Sequence, residues 1–529
     1  FGYTFRKINN NTNDKLIFGN GTILSENGKT ATTIYINNRD RLPYDHNGDN
    51  FSELPSLKDN TFGANFSFIP SINQKIELNF GSIHEYRYGG EMISGAPHFS
   101  MQSEERVHDI LVGNIDYKIN FGSGKYSLLT YLAAQKTDRE HYTGIRPVVG
   151  SNDDINHLTN PPYGTSLSLT KQLGFQLNYQ YNSFIGPNLL TLGSELLSDK
   201  VNDEINAYNY LVDQEVQTIG IYFQSDWSLN EKLNILSSAR ADRHSLLDNP
   251  VISPRLSILY NLKKISQFRF TYSTGFRAPQ AFDTDLHIAF SGGGISRINL
   301  DDDLIEEKSM SISSSFNYDY AKENYIYGFT FECFYTKLNN AFFLDPDGSD
   351  SFGDLFVKRN GSSAIVQGVS LDMRINYNKT FQLESGFTLQ SSKYEEAVSY
   401  SDDLGPIANF LKTPNSYGFS NLSFFINKSL SSSVNYIYTG KMDLVHYGGA
   451  INNPYDKFIV TNDFHQFDLN LNYIQKVSQL GIKINYLIGV KNITNAYQSD
   501  FDLFKNRDSN YVYGPTTPRM LIVGLSFKI

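Results

Sequence analysis

The sequence has a single cysteine, a single tryptophan and no apolar run near the roughly 20 residues that a membrane-spanning helix needs. One thiol, Cys333, excludes an intramolecular disulfide framework and a cysteine-rich metal site. Basic residues are the minority, 45 Lys and Arg against 55 Asp and Glu. The resulting net charge of −10 argues against nucleic acid as a partner, which calls for a basic face. No G-x-S-x-G, H-E-x-x-H or phosphate-binding glycine loop occurs, so no enzymatic function is expected. The 529 residues would suit three or four soluble domains, but a hydrophobic fraction of 40% gives no sign of core-rich α/β units.

Aromatic side chains are abundant, 35 Tyr and 38 Phe, and they fall in alternating segments. Phe467 to Tyr473 alternates apolar and polar without a fault. Phe268, Phe270 and Tyr272 share one face, opposite Arg269, Thr271 and Ser273. Ile219, Ile221 and Phe223 oppose Gly220, Tyr222 and Gln224. Such segments run to about ten residues or more, longer than the usual globular strand of about five or six. Short polar turns, among them Ser25–Gly28, Phe121–Gly124 and Asn230–Lys232, alternate with long polar loops near 41–59, 88–105, 138–167, 277–306, 339–362, 395–412, 444–462 and 494–518. A large soluble all-β protein could share this composition but has no reason to segregate loop length. The pattern predicts an all-β transmembrane antiparallel β-barrel of about 22 strands, with short periplasmic turns and long extracellular loops. Its first strand is expected near residues 2–8 and its last from Met520 to Ile529. Barrels of this size are typical of plugged transporters, smaller ones of open channels.

Several segments carry a family resemblance. Gly275-Phe-Arg277-Ala-Pro279, followed by Asn299-Leu-Asp-Asp-Asp-Leu-Ile-Glu-Glu307, resembles the paired FRAP and NPDL boxes of TonB-dependent outer-membrane receptors, with Leu300 where proline is usual. Tyr44–Glu53, Glu85–Gly90, Ile221–Trp227, Tyr438–Met442 with His446-Tyr447, and Gly489–Asn495 continue the likeness, especially to Bacteroidetes members. It runs from about residue 14 to the end. Residues 1–529 are therefore expected to be the barrel domain of a longer precursor, with the N-terminal plug and TonB box not present in this chain. The resemblance implies active uptake of a scarce, bulky nutrient across the outer membrane of a Gram-negative bacterium. Ferric siderophore or haem is the first expectation and vitamin B12 (cobalamin) the alternative, so the ligand would be an iron or cobalt chelate. Outer-membrane lipid, the TonB–ExbB–ExbD energy complex acting through the plug, and a surface lipoprotein are the implied partners. A passive porin and a barrel scaffold for surface proteins are the other classes left open.

The candidate ligand-binding residues follow from these segments. The loop opened by Arg277 carries Asp283, Asp285 and His287 between the two boxes, where haem receptors of the family use a histidine. All ten histidines are expected in long loops or at outer strand ends, and His446 with Tyr447 lies in another family-like segment. Tyr86, Arg87 and Tyr88 would suit planar or anionic ligands by stacking and bidentate bonding. An interfacial aromatic belt is the plainer account of most tyrosines. Asp45, Asn47, Asp49 and Glu53 place oxygen ligands at alternate positions, as an EF-hand loop begins. Asn50 stands where that loop needs glycine, so no EF-hand is expected. Loop-bound Ca²⁺, which the family's B12 receptors use, is weighed against a simple solvated acidic turn.

Overall fold

The computed structural model describes residues 1–282, 297–350, 353–401, 403–508 and 511–529. Twenty-three strands join in one sheet; Ile407–Asn409 is a three-residue addition beside Phe381–Val398, which leaves 22 in the wall. Every wall pairing is antiparallel. Gly2–Ile8 pairs with Thr12–Leu24 on one side and with Met520–Lys528 on the other, Tyr3 opposite Leu525, so the sheet closes on itself. Closure leaves no edge strand, which is what a sheet immersed in hydrocarbon requires.

Alternation assigns the two faces. On Tyr163–Ser183, Leu173 and Phe175 are exposed on the outer side, whereas Gln172 faces the lumen and donates to Glu195 at 2.6 Å. Glu195 also accepts from Tyr131 Oη at 2.5 Å and from Arg240 at 3.0 Å, so a luminal charge is met by three donors. Two luminal tyrosines lie flat across glycines of a neighbouring strand. A Cβ built on Gly174 would stand 2.2 Å from the Tyr131 ring, and one on Gly193 2.1 Å from that of Tyr222. At the short-turn end the outward rings of Phe121, Tyr126, Tyr179 and Tyr181 stack at 5.1, 4.7 and 5.4 Å. That row is the aromatic girdle expected of a membrane interface.

The wall differs from the sequence reading in its height. Residues 51–59, 102–105, 138–145 and 163–167, read as loop, belong to strands of 18 to 21 residues. Above the membrane both faces meet water, so apolar alternation stops while the backbone ladder continues. The long-loop end also contains three short connections, at 9–11, 206–209 and 245–250. Among the described residues, two small sheets lie outside the wall. Arg297–Leu300, Gly353–Asn360 and Phe342–Asp350 form one, and Asp443–His446 with Lys457–Val460 the other.

Candidate ligand-binding mouth

The last connection, residues 492–519, organises one side of the mouth. Asp502 accepts from the buried His446 Nε2 at 2.9 Å and from the Asp508 N–H at 2.8 Å. Tyr511 lies parallel on the His446 ring, centroids 3.5 Å apart. Its hydroxyl donates to Asp500 at 2.6 Å; burial first, and that carboxylate second, push the phenol well above its ordinary range. Tyr447 donates its N–H to Asp508 and its hydroxyl to the Tyr400 carbonyl. His446 and Tyr447 thus hold loops together.

The proposed calcium loop is engaged in the same way. Asp45 accepts from the N–H groups of Gly48 and Asn50, and Asn47 accepts from the Asp49 N–H while donating to the Asp502 carbonyl. Asp49 accepts from the N–H groups of Phe51 and Phe504. Glu53, only 1% exposed, accepts from the His46 N–H at 2.6 Å and from Arg507 at 2.8 Å. Among the described residues no three His, Cys, Asp or Glu converge as a metal site would require. Arg507 was not singled out in the sequence. Its partner Glu53 lies 454 positions away, a pairing that no local pattern announces.

Of the other candidates, Tyr86 donates to Glu105 at 3.0 Å, Arg87 bridges Glu85 at 2.7 Å, and Tyr88 donates to the Glu91 carbonyl at 2.6 Å. These are bonds within the wall. Asp283, Asp285 and His287 lie outside the described residues. The nine described histidines sit in the outer half of the wall or in its loops, and all but His108, whose Nδ1 lies 3.7 Å from Glu85, are hydrogen-bonded to a neighbour. Examples are His84 with Asp109 and the buried His141 with Asp203.

Arg277 differs from these. It ends the strand Ser266–Arg277 on the luminal row, exposed, with its guanidinium carbon 3.7 Å from the Phe282 ring centroid and 5.7 Å from that of Phe342. Lys358 reaches the same two rings at 4.5 and 5.6 Å. Lys358 is only 4% exposed, so Arg277, with the half-buried rings beside it, is the part of this cluster that suits an anionic, partly aromatic ligand. Across the mouth a cavity of about 340 Å³ is lined by Glu53, Gln102, Glu104, Phe501, Arg507 and Tyr511 among others.

Comparison with known proteins adds the following. The family model described as TonB dependent receptor-like, beta-barrel matches residues 1–493. An iron-regulated outer membrane virulence protein of Vibrio cholerae serotype O1 is 24% identical over 279 residues, 51% of this chain but only 41% of that relative's length. The siderophore receptor PirA of Acinetobacter baumannii superposes over 99% of this chain and 79% of its own, with a TM-score of 0.72 at 13% identity. A ferric enterobactin receptor mutant from Pseudomonas aeruginosa gives 0.72 at 13% identity, over 100% and 81%. The FrpB iron transporter of Neisseria meningitidis gives 0.69 at 14%, over 100% and 81%. These likenesses concern the fold.

Proposed function

The chain belongs to the TonB dependent receptor-like β-barrel family of the Gram-negative outer membrane, and from that premise we propose that it takes up a scarce, bulky metal chelate, a ferric siderophore before any other. The observation that carries this reading is the exposed Arg277 at the rim over Phe282 and Phe342, with the buried Lys358 beside the same rings. Ferric chelates are commonly anionic and carry flat aromatic or amide groups, and cations beside rings meet both features. The names of the similar proteins, an iron-regulated protein, siderophore receptors and an iron transporter, favour the same cargo. Capture at the mouth would be followed by passage through the lumen, driven by the TonB–ExbB–ExbD complex acting through a plug. No chemistry on the cargo is proposed.

Growth of a strain lacking the gene, on ferric siderophore, haem or cobalamin as sole source, tests the cargo. Loss on ferric siderophore alone is expected; loss on haem or cobalamin alone would replace the cargo, and no loss on any would end the reading. Uptake that persists after the inner-membrane proton gradient is collapsed would identify a passive channel instead. In the restored strain, Arg277→Ala should weaken chelate binding roughly tenfold without altering the barrel's melting, the scale of one desolvated cation–ring contact.

A further inference from the structure

The last connection does more than hold neighbouring loops; it crosses the mouth. Leu503 donates its N–H to Asn452 Oδ1 at 3.0 Å, and Asn452 donates in return to the Phe501 carbonyl at 3.1 Å. Two residues further on, Lys505 donates to the Arg146 carbonyl. Asn452 lies in the connection between Leu430–Thr439 and Phe464–Val477, whereas Arg146 follows directly on Tyr126–Ile145. Round the wall, these two connections are separated by ten strands on one side, from Phe464–Val477 to Tyr126–Ile145, and by the other twelve of the 22 on the far side. They stand almost diametrically opposed on the rim, and residues 501–505 join them. A bridge between opposite points of a ring divides it into two openings.

The openings differ. On the ten-strand side Tyr44, Leu54 and Tyr497 pack on the luminal Ile8, Met520 and Ile522. The space against Gln102, Thr143 and Phe501 is a cavity of about 340 Å³, at the low end of the roughly 300–1,000 Å³ of small-molecule sites and too small for a bulky chelate. The twelve-strand side carries the exposed Arg277. Below it the luminal row runs through Ser273 and Thr271, paired with Ser311 and Ser313, short side chains that leave the lumen wide. The bridge is also clamped at both ends by groups withdrawn from water. Towards one end Asp502 pairs with His446, both buried. Towards the other, Arg507 pairs with the buried carboxylate of Glu53, donates its N–H to Gln102 and accepts from the same side chain. Separating buried partners is costly, so this bridge is not built to lift.

We propose that residues 501–508 are a fixed strap that closes the ten-strand side of the mouth and routes cargo down the twelve-strand side, past Arg277. The routing rests on the uptake function proposed above, whereas the closure is read without any cargo. In whole cells carrying the full-length receptor with Cys333→Ser, a polymer-linked maleimide too large for the cavity should label Ser309→Cys, near the strand end beside Arg277. It should leave Thr143→Cys, at a matching depth behind the strap, unlabelled. Asn452→Ala with Arg507→Ala should expose Thr143→Cys to the reagent. Heat-modifiability on a gel checks that each barrel is folded, and Asn452→Ala alone serves if the double variant is not. Equal labelling of the two positions in the intact receptor, or none at Ser309→Cys, would overturn the strap. Asn452→Cys with Leu503→Cys, oxidised to a disulfide, should import ferric siderophore as fast as its reduced form. A loss of import that reductant restores would show that the strap must lift, and would overturn it as well. If the wild type imports no ferric siderophore while the labelling difference holds, the cargo reading fails and the division of the mouth stands.

Discussion

The barrel wall is tall on one side and low on the other, and the two sides raise the mouth by different means. From Phe51 to Ser228 seven successive strands run to 18–21 residues. From Leu233 to Arg277, and among the strands between Ser416 and Lys491, most are 10 to 13. Crossing the bilayer takes about 9–11 residues of tilted strand. The low side is therefore close to the membrane minimum, whereas the tall side carries as much sheet again above it. Its upper half is held by the backbone ladder and by side-chain hydrogen bonds such as His141 with Asp203. The low side relies on loops and small separate sheets. A ladder satisfies its own backbone groups, so it can stand in water with polar residues on both faces. Loops must find partners elsewhere, and that of 492–519 finds them on residues remote in sequence, Glu53, Gln102 and His446 among them.

Removing a loop clamp should have the largest effect. Arg507→Ala leaves the carboxylate of Glu53 buried with only the His46 N–H, a loss of about 3–5 kcal/mol for a broken buried pair. Hydrogen exchange should show residues 492–508 released while the strands 51–228 stay protected. If those strands loosen equally, clamp and ladder are not separate. Within the tall wall, Gly193→Val forces a side chain into the Tyr222 ring and should cost about 1–3 kcal/mol. The expected readout is a lower melting temperature of the extracted barrel, with Leu256→Val on the low wall as the mild comparison. An unchanged melting temperature would mean that the ring simply turns into the lumen.

The smallest effect is on pH. The tip of the tall wall carries the helix Asn152–Thr159, capped by Ser151, with Arg146 bonded to Asp154 at 2.6 Å. Burial holds both His98 and His157 below their ordinary 6.5, so the folded tip binds fewer protons than the unfolded one. Its stability is full above about 6.5 and declines as pH falls below that value. The protection of residues 146–162, measured against the intrinsic exchange rate at each pH, should fall between pH 7 and 5, and His157→Gln should flatten the trend. The loop 42–50 holds His46, which burial also keeps low, and should respond in the same direction.

Legibility followed the solvent. Where one face met lipid and the other water, alternation was readable: Phe467, Leu469, Leu471 and Tyr473 are exposed outward as expected, and the first strand occupies Gly2–Ile8. Above the membrane the contrast vanished, and residues 138–145 were read as loop although they are strand. At the mouth, Arg277 was legible because its segment resembled a family box. Arg507, Asp502 and Tyr511 were not, because their roles arise from partners such as Glu53 and His446 that are remote in sequence.

The sequence by itself determined a closed, lipid-embedded barrel with one elaborate end, since period-two hydrophobicity and loop length are local records of a bilayer boundary. Only the tertiary structure decided the uneven height of the wall, the clamping of the last loop onto Glu53, and the placing of two cations over two rings. Those depend on which distant groups closure brings together, and a buried charge settles wherever closure supplies its partner.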